Sequence, residues 1–119
     1  MIQKNSYLIP CDKSGVYLSK VFHLYRGFNR KMSYLGDFIK VTVKRSRPLN
    51  SLSKKMKLKA LIVRTKKIVF KRDRTFVSFN FNNCILLKKR TTSYGKRMVG
   101  PILKSINRKK ILFSFSKIL

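Results

Sequence analysis

The sequence predicts a mainly β protein, a small closed barrel with a short helical C-terminal segment, occupying residues 1–119 as a single domain. Three observations predict it. From Asp37 to Lys44, the residues Ile39, Val41 and Val43 alternate with Lys40, Thr42 and Lys44, which is the period of two of a half-buried strand. Leu58 to Val63 is nearly continuously apolar, as a strand buried on both faces must be. After Pro101 the period changes: Ile102, Leu103 and Ile106 take the spacing of a short helix with Pro101 at its first position, giving a helical segment over about 101–119. Strands dominate, and closing them into a barrel removes sheet edges that so short a chain would otherwise expose.

The remaining elements follow in chain order. Ser6 to Ile9 makes a strand ending at Pro10, and Val16 to Tyr25 makes a second. Thr75 to Phe81 alternates again, with Val77, Phe79 and Phe81 placed as core positions, and Cys84 to Leu87 is a further strand. The connections between strands are basic. Arg26 to Gly36 carries Arg26, Arg30 and Lys31 with Gly27 and Gly36. Arg45 to Lys57 carries Arg45, Arg47, Lys54, Lys55 and Lys57, with Pro48 early in the stretch. Lys88 to Arg97 carries Lys88, Lys89, Arg90, Lys96 and Arg97 around Tyr94-Gly95.

Charge narrows the function more than any motif. Thirty residues are Lys or Arg and three are acidic (Asp12, Asp37 and Asp73), so the formal net charge is +27. The 44% hydrophobic content, with nine Phe and five Tyr, separates the chain from a disordered basic tail. Internal ion pairs cannot neutralise such a surface, and self-repulsion strains the compact state until a polyanion covers it. Nucleic acid is the expected partner. The longest apolar runs, Ala60 to Val63 and Cys84 to Leu87, hold four residues, against roughly 20 for a spanning helix. Cys11 and Cys84 lie far apart with no CxxC pattern and read as two small buried side chains.

Enzyme chemistry finds little support. Asp12 and Asp37 sit beside the turn glycines Gly15 and Gly36, where an Asp hydrogen-bonds local backbone. His23, between Phe22 and Leu24, reads as a packed or RNA-facing side chain, and Cys11, His23 and Cys84 lack the close pairing of zinc ligands. No catalytic residue, metal or cofactor is assigned. The unbalanced cations are different, because phosphate neutralisation with counterion release explains them directly. Arg45, Arg47, Lys54, Lys55, Arg64, Lys66 and Lys67 form the densest set, gathered by a loop and the end of the strand that follows it, and Lys44 is assigned to RNA as well. Arg90, Lys96 and Arg97 form a second around Gly95, which lets backbone approach a sugar-phosphate chain, and Lys89 is assigned to RNA beside them. Phe28 and Tyr94, inside basic turns, either stack on an unpaired base or fold back on the barrel.

Seven motifs in register resemble a known family. Met1-Ile2-Gln3 and Cys11-Asp12-Lys13-Ser14-Gly15 are similar to the opening of the universal large-subunit ribosomal protein family numbered fourteen. The likeness continues through Tyr34 to Asp37 and Thr42 to Lys44, and it is strongest across Ala60 to Lys67, where the Val-Arg-Thr-Lys-Lys signature stands intact. It resumes at Phe79 to Asn83 and at Gly95 to Pro101. Lys13 and Met56 replace the family's usual Asn and Gly. The resemblance implies a five-stranded β-barrel with a basic β-ribbon and short C-terminal helices, embedded in large-subunit rRNA, beside neighbouring ribosomal proteins and within reach of small-subunit rRNA. The function it implies is structural, as a constituent of the large subunit that supports translation near the subunit interface.

Two rivals belong to other classes. One is a free single-strand RNA-binding or RNA-chaperone module on an OB-like barrel, which needs exposed aromatics on strand faces. The other is a nuclease, which the shortage of metal-binding acids opposes. The start at Met1-Ile2-Gln3 leaves no room for a targeting extension. With a lone Ala60, no Glu and abundant Lys, Asn, Ile and Phe, it points to an organelle-encoded protein of the mitochondrial ribosome, with a bacterial or plastid ribosome as the alternative. The last nine residues crowd apolar side chains. Either the tail closes one end of the barrel, or Phe113 and Phe115 dock on an adjacent ribosomal protein while Arg108, Lys109 and Lys110 hold RNA.

Overall fold

The computed structural model describes residues 1–25, 27–89 and 92–119, so Arg26 and Arg90, both assigned to basic connections, lie outside the described residues. Five strands close a barrel in the order β1 (Tyr7–Pro10), β2 (Val16–Leu24), β3 (Phe38–Ser46), β4 (Lys57–Arg64) and β7 (Asn83–Leu87). Neighbours are antiparallel except at the seam, where β1 runs parallel to β7 and pairs Ile9 with Asn83 and Pro10 with Cys84. The alternation that predicts β3 is borne out: Ile39, Val41 and Val43 are fully buried, while Lys40 and Lys44 are exposed.

Two packed clusters explain why β4 and β7 read as continuous apolar runs. Inside the barrel, Leu8, Val21, Ile39, Val41, Ala60, Ile62, Cys84 and Leu86 meet. On the outer face, Leu61, Val63, Ile85 and Leu87 pack under Cys11, Ile102, Ile106 and Phe115 from the rest of the chain. Both faces of these strands therefore leave water. The tail does not plug an end of the barrel, as one reading of the sequence had it. It covers the outer side of β4 and β7.

Two expected elements differ. Thr75 to Phe81 is not a barrel strand. Only β6 (Phe76–Val77) is extended, and it pairs with β5 (Val69–Phe70) as a two-stranded ribbon. Asp73 Oδ1 accepts hydrogen bonds from Thr75 N at 3.1 Å and Thr75 Oγ1 at 2.5 Å, and Arg74 takes φ 66°, which turns the chain back into a hairpin. The bonds from Thr75 also hold the Asp73 carboxyl below the usual carboxylate range. A two-stranded ribbon has no interior, so its alternating pattern fills no core: Val77 and Phe79 are half-buried, and Phe76 and Phe81 are exposed.

The second difference is at Pro101, which opens a strand and not a helix. β8 (Pro101–Ile102) pairs in parallel with β9 (Lys117–Ile118), and the C-terminal helix is the single turn α1 (Lys109–Leu112). Ile102, Leu103 and Ile106 are buried as the helical spacing implied, but on an irregular path. That path is closed by Leu119 N donating to Ile102 O at 2.8 Å and Lys104 N donating to Leu119 O at 3.0 Å.

Candidate nucleic-acid interface

One end of the barrel gathers three connections. The turn after β1 begins at Asp12, whose Oδ1 accepts a hydrogen bond from Ser14 Oγ at 2.9 Å. Its other oxygen is buried without a hydrogen-bond partner, and burial pushes the Asp12 carboxyl above the usual range. Gly15 O accepts from Arg47 N at 2.9 Å, and Ser14 O accepts from Asn50 Nδ2 at 3.0 Å, so the β3–β4 connection is tied to this turn. Lys13 N donates to Arg97 O at 3.1 Å, which brings in the segment after β7. Gly95 permits the approach: a Cβ there would stand 2.8 Å from both Asp12 Cβ and Lys13 N. Lys13, Arg45, Arg47, Lys96 and Arg97 are all exposed around this junction. Leu52, 2% exposed, roots the β3–β4 connection in the core, and Lys54 and Lys55 are exposed where it returns to β4.

Lys66 and Lys67 do not join them. The sequence grouped these residues with Lys54 and Lys55, but the intervening eight residues of β4 are extended, and at about 3.3 Å per residue they hold the two pairs roughly 25 Å apart. Lys66 N instead donates to Asn82 Oδ1 at 2.9 Å, and Lys67 Nζ lies 3.3 Å from Met1 Sδ. There they lead into the β5–β6 ribbon, where Lys71, Arg72 and Arg74 surround Asp73. The densest expected set is thus split between the two ends of β4.

Other assigned residues are engaged within the chain. Arg64 Nη2 donates to Val99 O at 2.8 Å, and its guanidinium occupies the space a side chain at Gly100 would need. The Arg108 guanidinium lies 4.1 Å from the Phe38 ring centroid. Lys44 and Lys89 are exposed. Of the two aromatic candidates, Tyr94 packs against the barrel interior under Lys88 Nζ, 5.4 Å from its ring, whereas Phe28 is 96% exposed. Phe115 is a core residue at 6% exposure, which corrects its assignment to a neighbour's surface; Phe113, at 79%, faces outward. Both cysteines are free and buried, and burial pushes the Cys11 thiol up to about 11.

Sequence reading missed a third basic region on the outer faces of β1 to β4. Tyr7 pairs with Lys20, Lys20 with Thr42, and Thr42 with Lys57, making one row across four strands. A second row runs His23, Lys40, Lys59. The polar half of each alternation, taken as a surface in its own right, carried that signal. Among the described residues no cluster of His, Cys and Asp could hold a metal ion, and no helix is long and apolar enough to cross a membrane.

The aromatic criterion does not exclude an OB-like binder, since Tyr7, Tyr17 and Phe22 are exposed on strands. Similarity to known proteins decides against it. Residues 1–119 match the family described as ribosomal protein L14p/L23e. The chain is 47% identical over 115 residues to the large ribosomal subunit protein uL14m of Tetrahymena pyriformis, covering 97% of each chain.

Proposed function

Because the chain belongs to the ribosomal protein L14p/L23e family, we propose that it holds large-subunit rRNA with two separated sets of cations carried by one rigid barrel. Its role is that of a structural constituent of the large ribosomal subunit, with rRNA and other ribosomal proteins as partners, and its place is the mitochondrial ribosome. The observation that carries the mechanism is the bonding of Arg47 N to Gly15 O and of Lys13 N to Arg97 O. These bonds fix Lys13, Arg47, Lys96 and Arg97 about one end of the barrel before RNA arrives, so less conformational entropy is lost on binding. Phosphates neutralised there release counterions, which supplies affinity.

Among the described residues each of the three Asp side chains is engaged in local structure. Asp12 serves its own turn, Asp37 accepts from Arg30 Nη2 at 2.6 Å and from Tyr34 N at 2.9 Å, and Asp73 shapes the ribbon turn. Among the described residues the β5–β6 ribbon pairs with no barrel strand, and Lys71, Arg72 and Arg74 at its turn, with Lys66 and Lys67 leading into it, suit it to reach small-subunit RNA across the subunit interface. Phe113 is the residue assigned to a protein neighbour.

Sucrose-gradient sedimentation of mitochondrial ribosomes tests the reading. The tagged chain should travel with large subunits and leave them at lower salt when Arg47, Lys96 and Arg97 are changed to Gln. Wash-off at the same salt as wild type would move the RNA contact away from this end of the barrel.

A further inference from the structure

We propose that the outer face of β1 to β4 is an additional RNA surface, which takes an unpaired stretch of RNA, stacks bases on Phe22 and Tyr25, and holds its phosphates with Lys40, Lys57 and Lys59. The inference rests on the RNA-binding reading above and extends it from loops to a strand face.

The register makes the face. Lys40 and Lys59 stand directly opposite one another on β3 and β4, and like charges in that position repel. None of the cross-strand positions in the two rows is acidic. What the lysines do find is aromatic rings. Lys40 Nζ and Lys59 Nζ each lie 5.7 Å from the Tyr25 centroid, Lys59 Nζ also lies 4.3 Å from that of Phe38, and Lys57 Nζ lies 5.9 Å from that of Phe22. Cation–π attraction holds the ammonium groups without neutralising them. Phosphates would draw them off the rings and leave the ring faces to bases.

Shape and chemistry select the occupant. A shallow, open cleft lies between Phe22, Lys40, Lys57, Leu58 and Lys59. Only unpaired bases can lie flat on protein rings, so duplex RNA would use the lysines and not the aromatics. An acidic protein segment would likewise use the charge alone.

The test compares binding of a short oligouridine with that of an RNA duplex of equal charge to the full chain. Wild type should prefer the single strand. Phe22→Leu with Tyr25→Leu should weaken oligouridine binding by roughly tenfold per lost stack and leave duplex binding unchanged. Lys40→Gln with Lys59→Gln relieves a repulsive pair but gives up the contacts of both lysines with Tyr25 and of Lys59 with Phe38, so a thermal melt of the variant accompanies the binding measurement. The variant should lower the log–log salt slope for oligouridine by about 1.4. Unchanged single-strand preference in the aromatic variant, an unchanged slope in the lysine variant, or equal competition by polyglutamate would each overturn the proposal. Loop variants at Arg47, Lys96 and Arg97 separate the outcomes: if they still weaken rRNA binding, only the strand-face proposal falls, and if they do not, the reading it rests on falls too.

Discussion

The Arg108 guanidinium and the Phe38 ring lie 4.1 Å apart, and Lys59 Nζ approaches the same ring at 4.3 Å. Arg108 stands just before α1 and Phe38 opens β3, so this contact ties the C-terminal segment to the barrel. An Arg that sequence reading gave to RNA therefore acts within the fold. Arg108→Ala should lower stability by about 1 kcal/mol in thermal melts without RNA, the ordinary worth of such a contact. A melt equal to wild type would return Arg108 to the RNA side.

The two tail phenylalanines should separate cleanly. Phe115→Ala removes a ring packed on Leu61, Val63, Ile85 and Leu87 and should cost about 3 kcal/mol. Phe113→Ala, at an exposed position, should leave the melt within about 0.5 kcal/mol and act only on incorporation into subunits. Equal losses in the two variants would contradict this division.

Glycine positions offer a second contrast. Gly27, at φ 104°, has open space where a Cβ would stand, so Gly27→Ala carries only backbone strain of about 1 kcal/mol. At Gly95 a Cβ meets the backbone of Lys13, and Gly95→Ala should cost about 2–3 kcal/mol while loosening the basic junction. Denaturant midpoints check the order.

Salt should act in opposite directions on stability and on binding. With +27 on 119 residues, moderate salt should raise the melting temperature by screening repulsion. The same salt weakens RNA binding. Lys54→Gln with Lys55→Gln, and Lys66→Gln with Lys67→Gln, should each reduce the log–log slope by about 1.4–1.8, and the quadruple variant should show the sum. Strong non-additivity would place the pairs closer together than β4 allows.

The pH dependence has a defined sign. Burial raises the Asp12 carboxyl pKa in the folded chain, so folding favours its protonated form. Its contribution to stability is fully present below the unfolded pKa and is lost as pH rises through the folded one. Wild type should therefore gain on Asp12→Asn as pH falls through that window. Parallel pH–stability curves for the two proteins would remove the buried carboxylate from the account.

What the sequence made legible was burial, and what it hid was adjacency. Ile39, Val41 and Val43 announce β3 because only one face of that strand is dry, and Ala60 to Val63 announce β4 because both faces are. Val77, Phe79 and Phe81 mimic that alternation, but only Val77 is on a strand, and that strand belongs to a ribbon with no interior. Ile102, Leu103 and Ile106 show a helical period in a segment fixed instead by its pairing with Lys117 and Ile118. The basic junction depends on bonds between residues as distant as Lys13 and Arg97, which no local pattern reports. Lys40 and Lys59 escape such a reading because the polar side of a strand passes for background.

The seam between β1 and β7 also orders events in time. Ile9 and Pro10 wait for Asn83 and Cys84, and the outer faces of β4 and β7 wait for Ile102, Ile106 and Phe115. On a translating ribosome, synthesis delivers these partners last. Until they emerge, the nascent chain carries bare apolar strands and open sheet edges, and such pairings close slowly because they span so much sequence. A chaperone or an early grip on rRNA has its most useful moment there, and the final residues act as the latch.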